Sequence, residues 1–264
     1  MEDDELQLGI KGGPPAVIHA SGELNYRNCD SLSTLIRDAL GGDVSAVELA
    51  LGELDFIDSS GLRILVTAAQ EARKLGRSLN IISLTPQLSH MLDVSGFRRL
   101  FDDVAAPPSR AEIPAAVPSP AAKSYYFEAP ADLAACQGAR DGVCNFAAGA
   151  GLSSLDLADI KLAVGEAISN AVRHGTCGGE AIQIQCEIEG ERLQVMLKYP
   201  SAAFDFQGIP APDVGLLSEG GMGIYFMKLV MDAVNYEFKD GYAVLTLEKR
   251  IRKSRRPQRG AEQP

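Results

Sequence analysis

Two kinds of hydrophobic pattern alternate along the first part of the chain. Short apolar runs predict buried strands, and apolar residues spaced three or four positions apart predict helices. The predicted strands are AVIHASGEL, VSAVELAL and LNIISL, and the predicted helices are YRNCDSLSTLIRDALGG, the segment after DSSG, and PQLSHMLDVSG. Strands that alternate with helices in this way indicate a small α/β domain, whose helices pack on one mixed sheet.

The second part of the chain has a different order of elements. Strict alternation in EAIQIQCEIEG and RLQVMLKY predicts two half-buried strands joined in a hairpin across Gly190. A last hairpin is predicted in VNYEFKDGYAVLTLEK, with its turn at Asp240-Gly241. The remaining predicted elements are a strand at SYYFEA and helices over residues 130–148, 154–175 and 222–233. This order predicts a layer of helices on an antiparallel or mixed sheet, an α+β arrangement.

Composition separates these two regions and sets off the end of the chain. The segment from Val104 to Lys123 holds five prolines and little apolar periodicity, which predicts an extended linker over residues 104–122. The predicted domains therefore cover residues 6–103 and 123–249. Seven basic residues lie between Lys249 and Arg259, so residues 250–264 are interpreted as a basic disordered tail. The alternative is a docking arm for an acidic partner.

Charge and hydropathy exclude several classes of protein. The net charge of −10 argues against general nucleic-acid binding. No apolar run approaches the ~20 residues that span a bilayer, and the acidic N-terminus lacks a signal-peptide core, so we expect a cytoplasmic protein. The five cysteines are scattered without a CxxC pair, which favours reduced thiols over disulfides or a zinc site.

The stretch LDFIDSSGLRIL places an acid and two hydroxyls between a predicted strand and a predicted helix. One interpretation is structural, because Asp and Ser accept hydrogen bonds from the unpaired amides of a helix's first turn. The other is chemical, because a serine at a helix N-terminus could carry a phosphate that the helix dipole stabilises. The two interpretations are compatible.

Two further groups of residues could carry chemistry in the second region. Glu166 and Asn170 lie four residues apart on one helix, so they share a face. That face could simply be solvated, or the amide could ligate Mg²⁺ while the carboxylate takes a hydroxyl proton. Gly220, Gly221 and Gly223 lie where a loop meets a helix, which suits either a plain turn or a phosphate site.

These motifs resemble two families that are linked in function. GEAISNAVRHG resembles the N-box of GHKL (histidine kinase-like) ATPases, and GGMGIYFMKLVMD is similar to their second glycine box. The likeness covers residues 123–249 and is closest to the anti-sigma-factor serine kinases. SGELN and LDFIDSSGL resemble the STAS domains of anti-sigma factor antagonists, over residues 6–103. The resemblance implies an N-terminal STAS-like mixed sheet with helices and a C-terminal GHKL-like α/β sandwich.

The resemblance also assigns roles to residues. It implies that Ser59 is phosphorylated, with Ser60 as a minor site, and that Glu166 orients or deprotonates the acceptor hydroxyl. ATP and Mg²⁺ are the implied cofactors, with Asn170 as the ligand of the metal. Gly221 and Gly223 would bind phosphate.

One departure from the family affects the nucleotide base. Where the family has an Asp-x-Gly-x-Gly box whose Asp accepts from the adenine amine, this chain has Tyr199, Ser201 and Ala203. A buried amine without its acceptor costs about 1–3 kcal/mol, which is roughly tenfold in affinity.

Two interpretations of the whole chain therefore stay open. The first is a switch in which a serine kinase domain and its STAS substrate domain control a sigma factor or a similar partner. The second is a scaffold whose pseudokinase domain binds partners without chemistry. A histidine-kinase fragment fits less well, because His90 and His174 are better explained as packing or surface residues. The implied partners are a sigma factor or another STAS or anti-sigma protein, with a homodimer as one arrangement.

Overall fold

The computed structural model describes residues 6–106, 123–131, 134–175, 180–203 and 221–251. They form two sheets, each with its own helices. The first domain contains β1 (Gln7–Lys11), β2 (Ala16–Leu24), α1 (Cys29–Gly41), β3 (Ala46–Ile57), α2 (Ser59–Lys74), β4 (Ser78–Leu84), α3 (Pro86–Val94) and a 3₁₀ turn (Phe97–Leu100). The second contains β5 (Ser124–Ala129), α4 (Ala134–Ala148), α5 (Ser154–His174), β6 (Ile182–Glu189), β7 (Arg192–Pro200), α6 (Met222–Val230), β8 (Ala233–Lys239) and β9 (Tyr242–Arg250).

The first domain is the mixed sheet with helices that the alternating pattern predicts. Its strand order is β1-β2-β3-β4, with β1 antiparallel to β2 and the other pairs parallel. Parallel neighbours need crossover connections, which α1 and α2 provide. The β1 strand was not predicted, because its side chains are almost all exposed and leave no buried alternation.

The second domain is a helix layer on an antiparallel sheet, as predicted. Its strand order is β5-β6-β7-β9-β8, and all the pairs are antiparallel. Helix α5 begins at a capping box in which Ser153 and Asp156 bond each other's backbone and side chains. It packs between α4 and α6. This places α5 at the centre of the helix layer, where its residues can face both the sheet and the first domain.

The described structure continues past residues 103 and 249, where the two predicted domains end. Val104 forms a bridge with Ile81, and the Ala105 amide donates to the Ile81 carbonyl at 2.7 Å, so the sheet of the first domain extends past residue 103. Arg250 belongs to β9, and Ile251 is buried with its amide bonded to Glu191. The rest of the predicted linker and tail lies outside the described residues. Within the described part of the chain, no helix is long and apolar enough to cross a bilayer.

Candidate functional site

The N-terminus of α2 contacts the middle of α5, so that Ser59 meets Glu166. The Ser59 Oγ donates to Glu166 Oε2 at 2.9 Å, and the Ser59 amide donates to Glu166 Oε1 at 2.6 Å. Ser59 is the first residue of α2, where backbone amides have no partner inside the helix. The carboxylate of the second domain therefore satisfies both donors of the predicted phosphoacceptor.

Asp58 forms the helix cap that the sequence predicts. Its Oδ1 accepts from the Gly61 amide at 2.9 Å, and its Oδ2 accepts from the Tyr26 amide at 3.0 Å. A side chain on Gly61 would meet Leu24 and Ile57 within 3 Å, so the glycine lets α2 start directly against the sheet. The cap thus holds Ser59 in a defined position at the domain surface.

Burial makes Glu166 an unusual carboxyl group. Only 4% of the residue is exposed, and this desolvation, together with the nearby charge of Asp58, raises the pKa of Glu166 to about 8. The two hydrogen bonds from Ser59 act in the opposite direction but are the weaker influence. Burial also raises the pKa of Asp58, although the amides that it accepts from favour its charged form. A carboxyl group with a pKa near neutrality is suited to taking and returning a proton.

Asn170 lies one turn beyond Glu166, beside the N-terminus of α6. Its Nδ2 atom is buried, and among the described residues the Tyr236 phenol is its one hydrogen-bond partner. This spare bonding capacity fits a polar ligand. No cluster of three or more His, Cys, Asp or Glu side chains that could hold a metal occurs within the described ranges. Asn170 could therefore hold Mg²⁺ only together with oxygens of a phosphate ligand.

The two described glycines of the predicted phosphate loop have different roles. Gly221 caps α6 with a left-handed φ of 93°, a conformation that favours glycine. Gly223 leaves room for Glu166, because a Cβ there would lie 2.3 Å from Glu166 Oε2. The start of α6 thus approaches the Glu166 carboxylate closely. Gly220 lies outside the described residues.

Two hydrogen-bonded tyrosines occupy the position that is predicted to recognise adenine. Tyr199, at the end of β7, is 2% exposed and forms a hydrogen bond with Tyr236 of β8. Burial and this neighbour raise the pKa of the Tyr236 phenol well above its ordinary value, so the Tyr236 hydroxyl stays neutral. Ser201 is buried, and its hydroxyl is bonded to the adjacent Ala202 carbonyl. These residues do not reproduce a carboxylate acceptor for an amine.

Charged residues clamp the two domains around the Ser59–Glu166 contact. Arg140 of α4 forms a buried ion pair with Glu23 of β2, and its guanidinium lies 3.9 Å from the centre of the Phe56 ring. The Lys161 ammonium donates to the Asp55 carbonyl at 3.0 Å. On the other side, His90 of α3 lies 2.9 Å from Asp159, which also accepts from the buried Lys249 at 2.5 Å.

These contacts correct one expectation and reveal residues that the sequence did not indicate. The Glu166 face of α5 was expected to be polar and solvated, yet Glu166 and Leu162 are buried, because α6 and the first domain cover them. Ser59 is also buried, whereas Ser60 is partly exposed. The roles of Glu23 and Arg140 were missed, because they lie 117 positions apart and nothing local marks either residue.

Comparison with known proteins agrees with this architecture. The family model described as "Mlab, STAS domain" matches residues 11–102, and the model described as "Histidine kinase-like ATPase domain" matches residues 129–249. The molecule is therefore an STAS domain joined to a histidine kinase-like ATPase domain.

Curated relatives define the second domain more closely. The serine-protein kinase RsbW of Listeria monocytogenes is 32% identical over 116 residues, which are 40% of this chain and 74% of the relative. RsbW of Bacillus velezensis is 34% identical over 100 residues, which are 34% of this chain and only 62% of that relative's length. The second domain belongs to the RsbW family of serine-protein kinases.

A comparison with solved structures finds a distant likeness. The crystal structure of an anti-sigma factor antagonist from Mycobacterium paratuberculosis is 18% identical, with a TM-score of 0.36. The likeness covers 39% of this chain and 88% of that one.

Proposed function

We propose that this protein is a regulatory switch that transfers a phosphoryl group from Mg·ATP to its own Ser59. The observation that carries the proposal is the 2.9 Å hydrogen bond from the Ser59 hydroxyl to Glu166. A general base must lie within about 2.6–3.2 Å of the proton that it removes. The phosphoacceptor and the base meet this criterion within one chain. The relatives named serine-protein kinase support the reaction class.

Each residue of the site has a defined part in the proposed reaction. Glu166 would accept the hydroxyl proton through Oε2 while the Ser59 Oγ forms a bond to the terminal phosphorus of ATP. The bond from that phosphorus to the bridging oxygen would break, and ADP would leave. The Ser59 amide, bonded to Oε1, holds the carboxylate in line with the hydroxyl. Asn170 would hold Mg²⁺ between the phosphates, and the start of α6 would face them with its free amides. Phosphoryl transfer depends mostly on such positioning and on charge neutralisation.

The product state suggests how the switch would operate. Phosphate on Ser59 would add about −1.5 to −2 charges beside the buried carboxyl groups of Asp58 and Glu166. Like charges in a desolvated site repel strongly, so the phosphorylated STAS domain would leave the kinase domain. Docking surfaces on both domains would then become available to a sigma factor or another STAS or anti-sigma protein.

A second candidate function is a docked scaffold without catalysis. The buried pair of Tyr199 and Tyr236 favours it, because a site without an acceptor for the adenine amine would bind ATP weakly. In that case the Ser59–Glu166 contact would serve only to hold the two domains together. The experiment must therefore measure phosphate on the protein itself.

The test is incubation of the full chain with Mg·ATP, followed by peptide mass spectrometry. We expect phosphate on Ser59, with much less on Ser60, at a first-order rate that does not depend on protein concentration. Ser59→Ala is the matched control, and it should lose the main phosphopeptide. If the wild type gains no phosphate at saturating ATP, the scaffold function replaces the switch.

A further inference from the structure

Phe56 is a buried aromatic residue at the contact between the two domains. It is 3% exposed, yet it lies outside the contiguous cluster that contains its neighbours Leu54 and Ile57. The groups that cover its ring come from the second domain. The Arg140 guanidinium lies 3.9 Å from the ring centre, and the Lys161 ammonium lies 5.8 Å from it. Both of these groups reach the ring only when the two domains are docked.

The Phe56 ring packs directly against the backbone of Gly165. A Cβ at Gly165 would lie 2.7 Å from Phe56 Cζ and 3.4 Å from Cε2, and the next atom, Cδ of Arg140, would be 3.6 Å away. Gly165 lies inside α5, where alanine would be more favourable than glycine by about 1 kcal/mol. The helix itself gives no reason for a glycine here, whereas the docked ring does.

We infer that Gly165 is a positioning residue, and that it forms with Arg140 a slot that accepts the ring of the docking STAS domain. Phe56 precedes Ser59 by three residues, and Gly165 is adjacent to Glu166. Contact of the ring with Gly165 therefore fixes the position of α2 along α5. In that position the Ser59 hydroxyl reaches Glu166. The inference rests on the proposed function, since it identifies what aligns the two reacting groups.

The slot also selects the partner that can dock. The Arg140 guanidinium lies over the face of the ring, and the ring edge at Cζ and Cε2 reaches the helix backbone at Gly165, so the slot fits a flat ring. The kinase domain should therefore accept STAS domains with a planar aromatic residue two positions before the capping aspartate. A larger side chain at residue 165 should exclude them.

The Ser59 amide provides a direct measure of docking without nucleotide. As the first residue of α2, it has no acceptor inside its own helix, and its bond to Glu166 exists only when the domains are docked. Its hydrogen exchange in the full chain should be slow in the wild type. Gly165→Ala should accelerate this exchange by roughly tenfold to a hundredfold, the range expected for one overpacked methyl group.

A matched control separates the slot from a general helix effect. Gly138 lies in α4, on the helix that also carries Arg140, and nothing lies within 4 Å of a Cβ added there. Gly138→Ala should leave the Ser59 amide as protected as in the wild type. Amides in the middle of α5 should keep their protection in both variants, which shows that the helix layer remains folded.

A compensating substitution gives the decisive result. Leucine lacks the ring atom Cζ that the new methyl group would strike, so Phe56→Leu should restore most of the Ser59 protection in the Gly165→Ala background. Wild-type protection in Gly165→Ala, or no recovery in the double variant, would overturn the slot. A docked wild type that gains no phosphate from Mg·ATP would instead overturn the proposed function and leave the slot in place.

Discussion

The two ends of the candidate kinase site differ in how well they are equipped. At the transfer end, Ser59 and Glu166 are in hydrogen-bond contact, and Asn170 lies beside them with bonding capacity to spare. At the end predicted to bind adenine, Tyr199 occupies the position of the predicted hydrogen-bond acceptor and bonds to Tyr236. The difference suggests that chemistry and nucleotide affinity can be separated in this protein. Holding Ser59 in the same chain as Glu166 does not make up for weak binding of the metal or of adenine.

Replacing Glu166, the proposed general base, should produce the largest effect. The effect should be on phosphoryl transfer and not on nucleotide binding. Glu166→Gln keeps the shape and can still accept from the Ser59 amide, but it cannot take a proton. We expect Ser59 phosphorylation to fall by about 10²–10⁴-fold, the usual contribution of a general base. Docking should persist, because the neutral amide avoids a buried charge beside Asp58. The measurements are phosphopeptide yield over time and the exchange rate of the Ser59 amide.

Equal phosphorylation of Glu166→Gln and the wild type would show that another group takes the proton. Loss of docking in Glu166→Gln would show that the charge of Glu166, rather than its hydrogen bonds, holds Ser59 in place.

Restoring a hydrogen-bond acceptor for adenine should increase the affinity for Mg·ATP, by less than the loss of Glu166 lowers phosphorylation. Tyr199→Asp would supply the carboxylate that the family's adenine recognition requires, worth about 1–3 kcal/mol. We expect Mg·ATP to bind roughly tenfold more tightly, as measured by calorimetric titration. Tyr199→Phe is the control, because it removes the hydroxyl without adding an acceptor, and its affinity should not improve. Unchanged affinity in Tyr199→Asp would mean that base recognition lies elsewhere in the site.

The sequence predicted the fold better than it predicted the environment of the site. Strict alternation along β6 and β7 identified a hairpin, because one face of each strand packs on helices. The spacing of Glu166 and Asn170 indicated a shared face, since helix geometry is local. The burial of that face is a long-range property, because the covering residues Ser59 and Phe56 belong to the other domain. No local pattern could reveal it.

The charged residues of the interface show the same limit. The sequence suggested no role for Arg140, and it placed Lys249 at the start of the basic run that leads into the predicted tail. The structure buries both, with Glu23 and Asp159 as their partners. Each pair joins elements far apart in sequence, so its existence depends on the assembled fold. Such pairs follow from the tertiary fold and cannot be identified from a local sequence pattern.

The smallest predicted effect is a dependence of docking on pH. Glu166 has a pKa of about 8 when docked, against an ordinary value of 4.5. Between these values the docked state binds a proton that the separated state releases. Docking is therefore fully favoured at low pH, and it weakens as pH rises toward 8. We expect a severalfold decline in the docked fraction, measured as a growing radius of gyration in X-ray scattering.

Glu166→Gln should show a flat profile over the same range, because its side chain does not titrate, and this variant is the control. A wild-type docked fraction that increased with pH would contradict the assigned protonation.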